Sequence, residues 1–377
     1  MQIDWTKVNR VLVVKLRSIG DTVLATPSLI ALRRFLPNAQ IDVLLEDWVT
    51  PLLVDWDVVH DAIDNVISVP TRNTAKVEGG KLSAFDLMFA RSIYAGILRK
   101  TKYDVAFNLH GGTTATFFTA ASRARHRVGY AEYQYSFLYN HLLSSSSDFW
   151  NTEFTHSAEQ QLALLGSVGV PVQDRPKTRL VVNAAALSSL AKKFNAKTQR
   201  WLSEGRTGWR DLGNFALLHP SSAFFTKQWP TENFARTAEF LAEKGFHTVA
   251  VASKNERAVL ENLERESKVP ITTFDDLTLP EITALASKAR LFVGNDSGIA
   301  HIAAAVGTPS VVIFGSSNRN HWRPWTDAPN EIVYEEFPCQ PCPGYVCEVF
   351  GEPRCILRVK PEAVFAAIDR MLSPSNS

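Results

Sequence analysis

Cysteine is scarce in this sequence: four in 377 residues, all between Cys339 and Cys355. That excludes a disulfide framework spread along the chain and fits a reducing compartment. Missing too is any run of ~18 uninterrupted apolar residues, so no spanning helix is expected. The start, Met1-Gln-Ile-Asp-Trp5, lacks a basic stretch followed by an apolar one. No signal peptide is read there, and a cytoplasmic location is expected. An excess of one charge is also absent. With 40 Lys/Arg against 38 Asp/Glu the formal net charge is +2, which speaks against a dedicated nucleic-acid binder.

What is present suits a globular protein: 45% hydrophobic and 21% charged residues,. A chain of 377 residues exceeds one ordinary core, so two domains are expected. Charge is unevenly spread. Residues 72–130 hold ten Lys/Arg against three Asp/Glu, residues 171–214 nine against three, and residues 1–70 six against nine. Such basic stretches fit either an anionic substrate or membrane surface, with Arg123, Arg125 and Arg127 as contacts, or a solvated face.

Strand and helix patterns alternate, the signature of parallel sheets with crossover helices. In the first half, residues 11–16, 41–45 and 103–109 read as strands and residues 21–35, 87–99 and 157–165 as helices. A polar, Lys-rich helix over 184–202 precedes a loop over 203–208, and a hinge is expected within 181–213. The alternation then restarts. Strands are expected at 215–219, 247–251, 291–293 and 310–314, helices at 233–244, 279–287, 298–306 and 361–371. The expected fold is α/β, two Rossmann-like doubly wound domains (1–185 and 186–377) facing a cleft, where nucleotides usually sit.

Three segments carry candidate chemistry. In Val293-Gly-Asn-Asp-Ser-Gly-Ile-Ala-His301 a buried strand ends in small polar residues that open a helix. The amides of Ser297, Gly298 and Ile299 at that positive helix end suit a phosphate. The alternative is ordinary N-capping by Asp296 or Ser297, which needs no His301. In His219-Pro-Ser-Ser222 with Thr226-Lys-Gln-Trp-Pro230, a strand ending in hydroxyl residues and a loop with one lysine fit a diphosphate clamp. Ser221 and Ser222 would donate to phosphate oxygens while Lys227 offsets the charge on a departing diphosphate. Otherwise this is a surface loop with a solvated lysine. In Lys15-Leu-Arg-Ser-Ile-Gly-Asp21 the first strand enters the first helix without the Gly-x-Gly-x-x-Gly of a dinucleotide binder,. Asp21 either caps that helix or removes a proton from an acceptor hydroxyl.

In joint order and spacing these segments resemble the ADP-heptose:lipopolysaccharide heptosyltransferases, glycosyltransferase family nine. The resemblance rests on Arg17-Ser-Ile-Gly-Asp21, His219-Pro-Ser-Ser222, Lys227-Gln-Trp-Pro230, and Gly294-Asn-Asp-Ser-Gly298 with His301. It implies two domains of the GT-B type and an inverting single displacement, with no cofactor and no catalytic metal. The donor is ADP-heptose or a related nucleotide sugar, bound by the C-terminal domain. The acceptor is an anionic lipid-linked saccharide, met by the N-terminal domain through peripheral contact with the inner membrane. By motif match, Asp21 takes the general-base position. Ser221, Ser222 and Lys227 take the phosphate side, and Asp296, Ser297, Gly298 and Ile299 line the sugar-diphosphate pocket, with His301 as pocket structure. The loop Ala223-Phe-Phe-Thr226 is apolar where many relatives are charged. Alternative functions are a transferase of another nucleotide sugar for a different surface glycan, or a non-catalytic nucleotide-sugar-binding protein.

The spacing Cys339-x2-Cys342-x4-Cys347-x7-Cys355 is metal-like at its first pair only. Structural zinc, a local disulfide and free thiols all remain open. His60, His110, His126 and His141 read as structural or surface residues. Trp322 and Trp325 read as packing groups or as flanks for an adenine.

Overall fold

The computed structural model describes residues 2–53, 62–71, 76–77, 80–81, 83–203, 213–342 and 344–373. The expected loop after Ser203, His60 and Arg72 lie outside them. The chain divides into two compact units, Met1–Val181 and Val182–Ser377.

The first unit is built on a six-stranded parallel sheet. Its strands are β1 (Arg10–Val14), β2 (Gln40–Glu46), β3 (Asn65–Val69), β6 (Val105–Asn108), β7 (His126–Tyr130) and β8 (His141–Leu143), with a short antiparallel pair β4 (Lys76–Val77) and β5 (Gly80–Lys81) apart from them. The order is β3-β2-β1-β6-β7-β8. All neighbours run parallel, as between Val13 of β1 and Val43 of β2 or Phe107 of β6. The continuous apolar run Val11-Leu-Val-Val14 is what a strand covered on both faces requires, and all four side chains are buried,.

The single helix expected over 21–35 is two helices, Ile19–Val23 and Thr26–Phe35. Pro27 has no N–H to give to the carbonyl of Val23, and the hydroxyl of Thr26 donates to that carbonyl instead at 2.7 Å,. Helix Gly112–Ala121, absent from the sequence reading, starts on two glycines at φ +70° and +71°.

The second unit repeats the architecture. Strands β9 (Phe215–His219), β10 (His247–Val251), β11 (Ile271–Phe274), β12 (Leu291–Asn295), β13 (Ser310–Phe314) and β14 (Asn330–Tyr334) form a parallel sheet in the order β11-β10-β9-β12-β13-β14. Numbered within its own sheet, each order reads 3-2-1-4-5-6, that of a doubly wound nucleotide-binding fold,. Trp229 is 1% exposed. Its indole N–H donates to the carbonyl of Val359 at 2.8 Å, and its ring meets Phe234 edge-on. Emptying such a site costs about 3–5 kcal/mol, so the loop after β9 is anchored two residues beyond Lys227.

Candidate active site

A sheet of this order changes direction between its first and fourth strands, and loops leaving the carboxyl ends of those two strands diverge to open a crevice. In the second unit the two strands are β9 and β12. Their loops carry His219–Lys227 and Asp296–Ile299, so topology brings together two segments about seventy residues apart. Gly294 lets the strands close up: a Cβ there would lie 2.6 Å from the Phe292 ring and 3.1 Å from the carbonyl oxygen of His219,.

The two loops are tied side by side. Asn295 Oδ1 accepts from the amide of Trp229 at 3.0 Å, and the hydroxyl of Ser222 donates to the carbonyl of Asp296 at 3.3 Å. Lys227 Nζ stands 2.7 Å from Asp296 Oδ2, the two side chains being 16% and 5% exposed. Lys227 is therefore a partly buried, ion-paired group and not a solvated surface lysine. The hydroxyl of Ser317 also donates to Asp296 Oδ2. Ser317 leaves the end of β13, where Gly315 abuts the carbonyl of Thr226.

Asp296 is thus turned inward to hold Lys227. The serines are engaged too: Ser221 donates to Glu256 Oε1, and Ser222 to the backbone. His219 is buried, its Nδ1 2.9 Å from the carbonyl of Val251, and desolvation lowers its basicity.

Helix Gly298–Ala305 begins directly after these groups. Neither Asp296 nor Ser297 caps it through a side-chain hydrogen bond. Ser297 Oγ and Asn295 Nδ2 are buried with no hydrogen-bond partner among the described residues. A buried polar group left so costs about 1–3 kcal/mol. A helix end with free amides, a neighbouring lysine and two unused polar groups is equipped to receive an anion. Ile299 and His301 are buried in the first turns of this helix.

In the first unit the strands at the change of direction are β1 and β6. Lys15, just past β1, is 4% exposed. Its Nζ donates to Asp21 Oδ1 at 3.0 Å and to the carbonyl of Leu109, past β6, at 3.0 Å. Asp21 Oδ2 accepts from the hydroxyl of Ser18 at 3.0 Å and from its amide at 3.4 Å. Asp21 therefore caps its helix and presents a carboxylate whose side chain keeps 29% exposure. Burial pushes its pKa up, but the Lys15 charge and the hydrogen bonds from Lys15 and Ser18 outweigh this and hold it at about 2,.

Beside this pair stands His110. Burial, with the Lys15 charge second, pulls its pKa down to about 4, so its ring is neutral at physiological pH. The amides of His110 and Gly111 both donate to Asn108 Oδ1. Glu256 and Ser317 were missed in the sequence, and His110 was read there only as a structural or surface residue. Only Glu256 had a local sign, the Ser253-x-x-Glu256 capping pattern, which the structure shows closed.

The remaining candidates fall elsewhere. Arg127 sends its guanidinium to the carbonyls of Leu138 and Ala124, at 2.6 and 2.7 Å, so it is a structural brace. Arg123 and Arg125 beside it are exposed. Trp322 and Trp325 are half-buried, with Trp322 edge-on to His321. The four cysteines are free thiols. Burial pushes Cys355 up to about 11 and raises Cys342. Among the described residues no group of three or more His, Cys, Asp or Glu is placed to hold a metal ion.

Comparison with known proteins agrees with this geometry. Lipopolysaccharide heptosyltransferase 3 of Escherichia coli is 26% identical over 381 residues, covering 96% of this chain and 99% of that protein. A glycosyl transferase family 9 structure from Veillonella parvula superposes with a TM-score of 0.77 at 20% identity, covering 99% of this chain and 98% of that one. E. coli heptosyltransferase WaaC, solved with ADP-2-deoxy-2-fluoro heptose, gives 0.67 at 19% identity over 96% of this chain and 99% of that one. The family model for glycosyltransferase family 9 (heptosyltransferase) matches residues 94–350. With two sheets of one order, and a basic anion-ready helix end in the second, the chain belongs to glycosyltransferase family 9, the heptosyltransferases.

Proposed function

We propose that this chain transfers a heptose from ADP-heptose to the inner core of a lipopolysaccharide acceptor, inverting the anomeric centre in a single displacement. The observation that carries this reading is the Lys227–Asp296 pair set at the N-terminus of helix Gly298–Ala305. Support for the sugar and the acceptor comes from the family and from the relatives' names.

The second unit binds the donor and the first unit the acceptor. The diphosphate lies on the amides of Ser297, Gly298 and Ile299, with the Ser297 hydroxyl as a further donor. Ser221 and Ser222 shape the loop beneath it. Asp296 fixes Lys227, whose remaining N–H groups meet the leaving diphosphate as negative charge grows there. Asp21 takes the proton of the attacking hydroxyl while that oxygen bonds to the anomeric carbon, and the bond from that carbon to the diphosphate breaks, releasing ADP. A carboxylate held at about 2 is fully ionised but weakly basic, so the proton moves late, once the forming bond has made the hydroxyl acidic. Because lysine and helix end supply the positive charge, the reaction needs neither metal nor cofactor.

The acceptor is lipid-anchored, so the enzyme works at the cytoplasmic face of the inner membrane as a peripheral protein. Thermal midpoints with ADP, UDP and GDP test the donor assignment: ADP should raise the midpoint most, and a larger shift with another nucleotide refutes it. Transfer from ADP-heptose should survive EDTA. Loss on chelation with recovery on adding metal refutes the metal-free mechanism.

A further inference from the structure

Helix Ala84–Thr101 of the first unit lies on the surface with apolar residues on both its inner and its outer side. An exposed apolar side of this extent is ordinarily covered. Its inner face carries Leu98, which is buried, and Tyr94, both packed against the core formed by β1 and its neighbours. Facing away are Phe85, Met88, Phe89, Ile93 and Ile97, exposed by 71, 65, 61, 50 and 46%. Their spacing of three and four residues puts them on one side of the helix. Near its C-terminal end follow Arg99, Lys100 and, just beyond, Lys102, all exposed. The helix's acidic residue, Asp86, is occupied by the hydroxyl and amide of Ser83 at its N-terminus. The outward face thus combines a wide apolar stripe with positive charge that has no acidic partner among the described residues. Apolar side chains flanked by cations are the combination with which protein surfaces bind anionic membranes. A protein partner would have to bury those three cations.

We infer that this face docks the enzyme on an anionic lipid surface, the Phe85–Ile97 stripe entering the headgroup boundary while Arg99, Lys100 and Lys102 meet lipid phosphates. The inference rests on the reading of the acceptor as lipid-linked. Among the described residues no helix is long and apolar enough to cross a membrane, so such an acceptor is met from the surface.

The experiment is co-sedimentation of the full chain with phosphatidylcholine vesicles containing or lacking phosphatidylglycerol. Wild type should partition into the anionic vesicles, and salt should weaken this only in part because the apolar contact persists. Phe85→Ser, Phe89→Ser and Ile93→Ser together should cut partitioning at least ten-fold. These side chains point outward, so the circular dichroism melt and ADP titration should be unchanged. Partitioning equal to wild type overturns the proposal. So does a wild-type dimer in sedimentation velocity that the same substitutions make monomeric, because the face then belongs to a second copy. Transfer to a water-soluble, de-acylated acceptor keeps the two readings apart. The triple variant should retain it, whereas its absence in wild type refutes the proposed reaction and leaves the vesicle result standing.

Discussion

Lys227 Nζ and Asp296 Oδ2, 2.7 Å apart, join the loop that leaves β9 to the residue that precedes helix Gly298–Ala305. Asp296 is among the most enclosed acids of the second unit, and Lys227 is its sole basic partner among the described residues. The pair therefore has two separable duties. It closes the loop over the helix end, and in the proposed donor site it holds a cation where a diphosphate would sit.

Removing the cation tests both. A charge-assisted hydrogen bond contributes about 1.5–3 kcal/mol, so Lys227→Ala should weaken ADP binding ten- to a hundred-fold by calorimetric titration. It should also lower the thermal midpoint by stranding the Asp296 charge. Adding Asp296→Asn should restore much of the midpoint without restoring affinity. Recovery of affinity in the double variant would show that the lysine only maintains the loop.

At the helix end, Ser297→Asp discriminates capping from ligand binding. A carboxylate there favours the helix by about 0.3–1 kcal/mol, so the midpoint should rise. The same charge would occupy the place of the diphosphate, and ADP affinity should fall at least ten-fold. Unchanged affinity would remove this helix end from the donor site.

For Asp21 the expected signature is kinetic. Asp21→Asn should leave ADP affinity intact and reduce turnover by about 10²–10⁴-fold, the range for a lost general base. Turnover near wild type at saturating acceptor would rule out that role.

The Lys15–Asp21 pair also fixes a pH dependence. The folded pKa of Asp21 is lowered from 3.8 to about 2. Its contribution to stability is therefore complete above about 4 and lost as pH falls through about 2. No acid limb from this group should cut kcat/KM in the physiological range. Lys15→Met takes away the dominant lowering influence and leaves burial, which acts upward, opposed only by the Ser18 hydrogen bonds. The acid limb should then move to higher pH. A profile unmoved by the substitution would assign that limb to another group.

Strands were legible wherever both faces of the sheet are covered, because Val11–Val14, Phe215–Leu218 and Leu291–Val293 are unbroken apolar runs. Less legible were elements whose pattern is local and polar. Helix Arg257–Glu266 buries only Leu260 and Leu263 along its charged length, and Gly112–Ala121 opens on glycines, which are poor helix formers,. The same divide holds at the site. Asp21, Lys227 and Ser297 sit in short motifs that can be read in line. His110 reaches Asp21 only because β6 pairs with β1, and Ser317 reaches Asp296 only because β13 pairs with β12. Such neighbours belong to the sheet order, which no window of sequence contains. Arg127 is a further case: nothing in its basic run signals that its guanidinium donates to the carbonyls of Leu138 and Ala124.

The lacing of the loop after β9 to the one after β12 bears on how such an enzyme diversifies. Ser222, Gln228 and Trp229 are each tied to backbone or to a partner in these loops, and Gly315 leaves no room beside Thr226. A change at any of these positions disturbs several at once, so this pair of loops resists change by its own construction. Between the ties lie Ala223 and Phe225, exposed and committed to no side-chain hydrogen bond among the described residues. Variation can accumulate at these two positions at little cost to the fold.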